Sequence, residues 1–475
     1  MKICLVCTFP PSGRQLNEYA FHIARELRRH DDVELTILSD QLTNYEFATD
    51  ENGQPLSIQD QAELPGFKVV RCWKFGSLAN PLRLLKTIRG LNPDVVWFNL
   101  VFSTFATPDM PLAAFAGLSA PALVRAAGYY THITLHHILE HVDFAAAGVR
   151  REKLFRVGTE LATRALLCAN SVTVLLPGYH NTLLTKYGAQ NVMLGSHGTF
   201  ATALTPPDFT RRGNPDKRIL AIGHWGTYKR LEALMEAFPR VLEKIPDARL
   251  VVAGANHHTK PGYWESIRAA QPRHLPIDFK GYVAEEDIPE LFQTTSVLVL
   301  PYDSATGSSG PAHQACEYGL PIVSADLPDF RGMAVDEDMA IRFYRRGDPE
   351  DLANQLIAIL ESPMLERQMA EHNFSAGIDM TMTAVVNNYL RWFRVNQRKR
   401  SIRRGRWLPE TPRPSLDLRR AASAELRLQP ALVPQRAERA DDHRVLESSR
   451  GLTETADFTG ETFTHRQSDG MNSRG

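Results

Sequence analysis

A chain of 475 residues, of which 43% are hydrophobic and 23% charged, is typical of a globular protein with two or three domains. Lysine and arginine together number 54, as do aspartate and glutamate, so the net charge of zero gives no electrostatic argument for nucleic-acid binding. No apolar run reaches the roughly 18 residues that span a bilayer. The 5 cysteines are few and scattered, which is typical of a reducing cytosol. We therefore expect a cytoplasmic protein without a nucleic-acid partner.

The N-terminal residues 1–7 predict a β-strand and not a secretion signal, because the apolar run is short and soon meets Pro10 and Pro11. Cys4 and Cys7 lie in this strand with C-x-x-C spacing, a pattern that metal and redox sites share. No second cysteine pair accompanies them, and the stretch is otherwise apolar. We interpret both cysteines as buried strand residues.

A loop with Gly13 follows, then an amphipathic helix over residues 17–29 and an apolar strand over residues 33–38. This order predicts a doubly wound parallel sheet, in which ligands lie at the C-terminal ends of the strands. A further apolar strand over residues 94–99 ends in Asn99, so we expect this polar side chain at the same edge.

Another apolar stretch ends in His136 and His137, which places histidines at a strand end as well. Besides a place at the ligand-binding edge of the sheet, two other interpretations of these histidines are open. The histidines could be ordinary core or surface residues, or His132, His136, His137 and His141 could together bind a metal. The spacing of His137 and His141 suits one helix face, but a third ligand is not clearly placed, so we expect no metal site.

Residues 206–216 are polar and rich in proline, and they predict a linker. It separates an N-terminal domain, residues 1–205, from a second domain over residues 217–380. In the second domain a buried strand precedes a loop of small residues that ends in Gly307, Ser308, Ser309 and Gly310, and a short helix follows. Backbone N–H groups at a helix N-terminus readily hold a phosphate or a sugar hydroxyl. The alternative is an ordinary capped loop.

Four other motifs precede this loop in the second domain. They are residues 220–230, which include His224, Lys229 and Arg230; residues 248–254; residues 279–283; and residues 287–292. In this order and spacing they resemble the C-terminal domain of GT-B glycosyltransferases, specifically the retaining family 4. The resemblance extends over roughly residues 217–360.

The resemblance implies an α/β fold of two Rossmann-like doubly wound domains that face each other across a cleft. It implies that a final helix over residues 381–397 crosses back to the first domain. The implied activity moves a sugar from a nucleotide-diphosphate donor, such as a UDP- or GDP-sugar, to a saccharide or lipid-linked acceptor. The anomeric configuration would be retained, and neither a metal nor a further cofactor would be needed.

The resemblance also assigns residues. Lys229 matches the lysine of a cationic pair that binds the diphosphate, and His224 stands where the arginine is usual, with Arg230 as a possible substitute; a solvated helix start is the alternative for Lys229 and Arg230. His136 would face the reaction centre. The other implied contacts are Gly13 in the first loop, Val283 with the base, Thr306 and Gly307 to Gly310 with the donor sugar and phosphates, and Gln314 with the ribose.

Two positions depart from the family pattern. The family has glutamates in an E-x7-E spacing, and those positions here are Thr306 and Gln314. This motivates a second hypothesis, a non-catalytic sugar-nucleotide-binding or scaffold protein of the same fold. A nucleotide-sugar epimerase fits the motif order less well. Residues 336–338 spell D-x-D, which we interpret as incidental because it falls in a polar stretch away from the glycine loop.

The C-terminal residues 398–475 differ in composition from the rest. A basic run extends from Arg398 to Arg406, and only 13 of the 75 residues from 401 to 475 are Leu, Ile, Val or Phe. Such a segment buries too little apolar surface to offset its ordering entropy, so we predict disorder. The basic run could contact anionic lipid at a membrane surface, but a solvated tail is the favoured interpretation.

Overall fold

The computed structural model describes residues 1–12, 16–42, 66–107, 109–141, 152–201, 204–209, 217–257, 260–304 and 307–403. Gly13, Thr306, most of the predicted linker and the tail beyond residue 403 lie outside the described residues. The predictions made for them are therefore not addressed by the structure.

The first domain is built on a seven-stranded parallel sheet with the order β3-β2-β1-β4-β5-β6-β7. Its strands are β1 (Lys2–Val6), β2 (Glu34–Asp40), β3 (Val69–Trp73), β4 (Val95–Leu100), β5 (Tyr130–Leu135), β6 (Ser171–Val174) and β7 (Val192–Leu194). Its helices are α1 (Asn17–Leu27), α2 (Asn80–Leu91), α3 (Leu112–Leu118), α4 (Ala120–Ala126), α5 (Glu152–Leu167) and α6 (Pro177–Tyr187).

The second domain has a six-stranded parallel sheet with the order β10-β9-β8-β11-β12-β13. Its strands are β8 (Arg218–Trp225), β9 (Arg249–Asn256), β10 (Ile277–Gly281), β11 (Val297–Leu300), β12 (Ile322–Ala325) and β13 (Ile341–Tyr344). Its helices are α7 (Glu232–Lys244), α8 (Tyr263–Ala270), α9 (Ile288–Gln293), α10 (Gly310–Glu317), α11 (Pro328–Asp336), α12 (Pro349–Leu360) and α13 (Pro363–Asp379).

The central strands form because their sequences are apolar without alternation. Every residue of β4 and of β11 is buried, as expected for parallel strands that helices cover on both faces. Cys4 and Cys7 are buried too, and burial raises the pKa of the Cys4 thiol to about 12. The prediction of two doubly wound α/β domains is confirmed.

Each sheet reverses its strand order once. The chain moves outward from β1 to β3 and then returns to β4 beside β1; in the second domain it moves from β8 to β10 and returns to β11 beside β8. At such a switch point the two following loops leave in opposite directions and open a crevice at the carboxyl edge of the sheet. The loops after β1, β4, β8 and β11 therefore mark where a ligand is expected.

The last described helix, α14 (Met382–Arg403), contains the predicted final helix over residues 381–397. Its apolar residues Met382, Val386 and Phe393 share a buried cluster with Leu5 of β1 and Trp97 of β4. The helix thus packs on the first domain, although its sequence follows the second. Among the residues that the structure describes, no helix is long and apolar enough to span a bilayer.

Candidate functional site

His136 follows β5, and its ring is fixed by Asn99 near the end of β4. The imidazole Nε2 donates to the amide Oδ1 of Asn99 at 2.7 Å, and both side chains are buried. Burial, together with the nearby rings of His197 and His137, holds the pKa of His136 well below its ordinary value. The ring is therefore neutral, and since Nε2 carries the hydrogen, Nδ1 presents a lone pair to any hydroxyl nearby.

A series of ring contacts leads from His136 toward the second domain. Tyr19 of α1 lies edge-on to His136 with ring centroids 4.6 Å apart, and it also contacts His197 at 4.7 Å. His197, which follows β7, contacts His313 of α10 at 4.9 Å. A continuous line of rings therefore joins the end of β5 to the helix that follows the glycine loop.

The glycine loop approaches the same place from the second domain. Gly307 has a positive φ of 117°, and a β-carbon there would stand 3.0 Å from the main-chain oxygen of His136. Its N–H donates to Asp329 of α11 at 3.3 Å, and the Tyr179 hydroxyl of α6 donates to the same carboxylate oxygen at 3.4 Å. The loop, the end of β5 and α6 thus converge.

The loop leads into the N-terminus of α10, for which Ser309 is the N-cap residue. The Ser309 side chain makes no capping hydrogen bond, so it does not satisfy the N–H groups of the first turn. The carbonyl of Ser309 accepts hydrogen bonds from both the main-chain N–H and the Nδ1 of His313, at 3.2 and 2.7 Å. This helix end can therefore offer N–H groups to an anion.

Lys229 lies in the loop after β8, directly beside the strand that leads into the glycine loop. Residues 228–230 pair with residues 301–303 through two backbone hydrogen bonds, which form an antiparallel bridge between Lys229 and Tyr302. The ammonium Nζ stands 4.9 Å from the centroid of the Tyr302 ring. Burial lowers the pKa of Lys229, and no carboxylate of the described residues lies within ion-pair distance of it. This cation is available to an anionic ligand.

The other two predicted cations differ from Lys229. Arg230 is exposed, and its guanidinium is held by Glu232 at 2.7 Å and by Asp303 at 3.6 Å. His224 is exposed at the end of β8. Lys229 is therefore the half-buried one of the three, and the roles of all three stay predictions.

The remaining predicted contacts lie on the expected elements. Gln314 is half-buried on α10, and Val283 is half-buried just after β10, against the core of the second domain. Gly310 is the first residue of α10. Gly13 and Thr306 lie outside the described residues. Nothing in the structure tests these assignments.

Several buried polar groups have no hydrogen-bond partner among the described residues, and four of them lie near the two switch points. They are the Tyr19 hydroxyl on α1, Asn99 Nδ2 on β4, the Thr227 hydroxyl after β8 and the Ser308 hydroxyl after β11. Native proteins rarely leave buried polar atoms unpaired without a ligand or water. Asn99 lies in β4, and the other three follow β1, β8 and β11, so together the four belong to the four strands that flank the two switch points.

The described side chains, which do not include that of His141, give no support to the metal cluster that was left open. His132 is buried against the final helix, with Nδ1 2.8 Å from the Ser171 hydroxyl and its ring 5.3 Å from that of Tyr389. Burial lowers its pKa to about 3. Within the described ranges, no group of three or more potential ligands is placed to hold a metal ion.

One placement expected from the sequence is wrong, whereas nothing tests whether the D-x-D spelling is incidental. Glu337, in the middle of the D-x-D spelling, does not lie away from the glycine loop. Its carboxylate accepts a hydrogen bond from Nε2 of His313 at 3.0 Å and another from the Ser196 hydroxyl at 2.7 Å. Sequence reasoning also missed Asp329, since a carboxylate on the next helix gives no local signal that it meets Gly307.

Comparison with known proteins supports the assignment of the second domain. Residues 216–362 match a family model described as glycosyl transferases group 1. A phosphatidyl-myo-inositol mannosyltransferase from Mycobacterium tuberculosis is 26% identical over 183 residues, which are 37% of this chain and 46% of that protein. The chain thus spans less than half the length of these curated relatives.

Solved structures extend the likeness to both domains. Anabaena HepE in complex with UDP and glucose matches 83% of this chain and 100% of its own, with a TM-score of 0.58 and 16% identity. Sucrose-phosphate synthase from Thermosynechococcus elongatus matches 83% of this chain and 99% of its own, with a TM-score of 0.62 and 14% identity. Identity at this level shows the fold alone, and the fold is the GT-B arrangement that the resemblance implied.

Proposed function

We propose that this protein is a glycosyltransferase that moves a sugar from a nucleotide-diphosphate donor to an acceptor. The observation that carries the proposal is the set of unpaired buried polar groups at both switch points, together with the unpaired Lys229 ammonium. A ligand that spans both domains and carries hydroxyls and phosphates would satisfy all of them.

Lys229 would bind the donor's diphosphate. When the bond between sugar and phosphate breaks, negative charge grows on the leaving phosphate. A fixed cation, aided by N–H groups at the N-terminus of α10, stabilises that charge more in the transition state than in the ground state. Because Lys229 is half-buried and already desolvated, its charge acts with little screening.

The transfer would proceed with retention of configuration and without a metal ion. Thr306 and Gln314 replace the carboxylates of the family pattern, so the proton of the acceptor hydroxyl would pass to the leaving phosphate. His136, neutral and with Nδ1 as an acceptor, would orient the donor sugar or the acceptor. Gln314 would bind the ribose, and Val283 the base.

The acceptor would be a saccharide or a lipid-linked saccharide bound on the first domain. The mannosyltransferase relative is named for a phosphatidyl-myo-inositol acceptor and the synthase for a sugar phosphate, so both classes deserve testing. The proposal also places the enzyme in the cytoplasm, in weak contact with the membrane surface through the basic run from Arg398. Arg400 of this run donates to the Gly128 carbonyl at 2.7 Å.

The second candidate is a sugar-nucleotide-binding protein that has lost turnover. The two replaced glutamates favour it, since Thr306 and Gln314 cannot ionise. It predicts donor binding of the same kind but no transfer.

The test is a panel of UDP-, GDP- and ADP-sugars, screened by thermal shift, donor hydrolysis and transfer to mixed saccharide and lipid-linked acceptors. Lys229→Ala is compared with Lys244→Ala, a matched loss of an exposed lysine at the far end of the next helix. One donor should stabilise the wild type, and Lys229→Ala should lower turnover by about 100- to 1,000-fold, while Lys244→Ala should not.

The anomeric configuration of the product, determined by NMR, decides retention, and assays in excess chelator decide metal dependence. Donor binding without release of nucleotide would favour the non-catalytic protein. If no donor binds, the placement of the site is wrong.

A further inference from the structure

The ring of His313 is enclosed between two hydrogen-bond acceptors. Nδ1 lies 2.7 Å from the Ser309 carbonyl oxygen, and Nε2 lies 3.0 Å from a carboxylate oxygen of Glu337. A carbonyl oxygen and an ionised carboxylate can only accept, so both ring nitrogens must donate and the ring is a charged imidazolium. His313 is 1% exposed and the Glu337 side chain 5% exposed, so this is a buried ion pair.

The ionisation of both groups follows from their surroundings. Burial alone would lower the pKa of His313, but Glu337 and the Ser309 carbonyl outweigh it and the pKa is raised. Burial would likewise raise the pKa of Glu337, but His313 and the Ser196 hydroxyl lower it. Each group therefore stabilises the charged form of the other.

The pair holds the N-terminus of α10. The Ser309 carbonyl belongs to the N-cap residue, and it accepts from both the main chain and the side chain of His313. That carbonyl and the N–H of Gly310 belong to the same peptide group, so fixing one fixes the other. This peptide lies at the helix end that would meet the donor's diphosphate.

The pair also reaches the first domain. Ser196, which follows β7, donates to Glu337, and the neighbouring His197 ring lies 4.9 Å from that of His313. Through Tyr19 the same ring contacts lead to His136. One buried charge pair thus touches both sides of the site.

We propose that His313 and Glu337 are positioning residues for the donor. Their ion pair sets the orientation of the Ser309–Gly310 peptide and docks α10 on the segment that leaves the first domain. This inference rests on the proposed function for its ligand, although its structural part can be tested without turnover.

The pH dependence of the pair has a defined sign. The other titratable groups that face it are His197, Tyr19, Cys316 and Asp336. Burial keeps the first three neutral at neutral pH. The contribution of His313 is lost as the pH rises through its raised pKa, and that of Glu337 is lost as the pH falls through its lowered pKa. Positioning should therefore be constant in the window between them.

The experiment must separate positioning from stability, because removing one partner leaves an uncompensated buried charge. Replacing both, as His313→Leu with Glu337→Met, removes that penalty but takes away the side-chain hydrogen bond to the Ser309 carbonyl and leaves only the main-chain one. Glu337→Gln retains a hydrogen bond to the ring and serves as the conservative rescue. Asp351→Asn is the matched control, because it changes a hydrogen-bonded carboxylate of the same domain, at the start of α12.

The readouts are UDP and GDP affinity by calorimetry, unfolding temperature, and amide hydrogen exchange over residues 307–313. The double variant should keep an unfolding temperature close to that of the wild type and exchange these amides faster. It should bind the nucleotide about 10- to 100-fold more weakly. Glu337→Gln should lose much less affinity, and Asp351→Asn none.

Wild-type affinity and exchange in a folded double variant would overturn the proposal. If the wild type binds neither nucleotide, the proposed function fails, and exchange alone then decides whether the pair holds the loop. If the double variant does not fold, ¹⁵N NMR of the histidines in the wild type decides: both His313 nitrogens protonated at pH 7 support the proposal, and a neutral ring overturns it.

Discussion

Gly307 of the second domain lies against the main-chain carbonyl of His136 in the first, and a side chain at position 307 would crowd that oxygen. A β-carbon there would stand 3.0 Å from the oxygen, which is tighter than nine in ten real contacts of this kind. The glycine therefore lets the loop of the second domain pack directly against the residue that follows β5.

Gly307→Ala should impair both fold and function. The residue has a φ of 117°, which strains any side chain, and the added methyl group would push the loop away from His136. We expect a loss of stability of about 1–2 kcal/mol from the strain and a fall in kcat/KM of about 100-fold from the displaced loop. Urea unfolding and transfer kinetics measure the two effects.

Gly347→Ala is the matched control for that variant. Its φ of 72° carries a comparable strain, but a β-carbon there would meet nothing within 4 Å. It should lose stability without losing activity. Equal kinetic effects in the two variants would show that the contact with His136 is not what matters.

Asn99→Asp should raise the pKa of His136. The amide oxygen accepts from Nε2 at 2.7 Å, and a carboxylate in its place would stabilise the imidazolium that burial now disfavours. Protonation would remove the lone pair from Nδ1, so kcat/KM should fall and the loss should deepen at lower pH. A ¹⁵N NMR titration of His136 measures the shift, and an unchanged pKa would contradict the hydrogen bond.

Lowering the pH should destabilise this protein already at pH values well above the pKa of its carboxylates. Burial lowers the pKa values of five histidines: those of His22, His137 and His197 to about 4, that of His132 to about 3, and that of His136 well below its ordinary value. The unfolded chain binds these protons near pH 6.5, so stability falls as the pH drops below that value.

Each such histidine contributes about 1.4 kcal/mol per pH unit between its unfolded and folded pKa. Urea unfolding at pH 7, 6 and 5 should therefore show a steep fall in the free energy of unfolding. His22→Asn should reduce the dependence of this free energy on pH by an amount that corresponds to about one proton. His22 is suited to this test because it is buried, its ring stacks on that of Phe200 with centroids 4.4 Å apart, and it is not among the residues assigned to the site. A flat profile would show that these rings are accessible to protons in the folded state.

The sheets and the positions of many candidate residues follow from local sequence. Unbroken apolar runs predict buried parallel strands. The ends of these strands place Asn99, His136 and His224 at the carboxyl edges of the two sheets. The partners of those residues could not be predicted in the same way. Periodicity reports that a residue is buried, but not which distant element covers it.

Glu337 shows this limit. It follows the last turn of α11 in a polar stretch, and only the tertiary fold brings its carboxylate to His313 of α10. His197 and His313 likewise meet because the two domains touch, which no spacing within either domain encodes. The sequence identified the elements of the site, whereas the ion pair and the ring contacts depend on how those elements pack.

The charge on Lys229 should set the alkaline limit of nucleotide binding. Burial lowers its pKa in the free protein, and a bound diphosphate would raise it again. Affinity should therefore be greatest below the free pKa and fall by up to about tenfold per pH unit above it. Lys229→Arg keeps a cation that does not titrate in this range, so its affinity should be lower at pH 7 but should not decline further. Calorimetry with the matching nucleoside diphosphate from pH 7 to 10 measures both curves, and Lys244→Arg reports the titration of the ligand itself. Parallel curves for the wild type and Lys229→Arg would mean that Lys229 does not meet the diphosphate, and the assignment of the donor site to this loop would then be wrong.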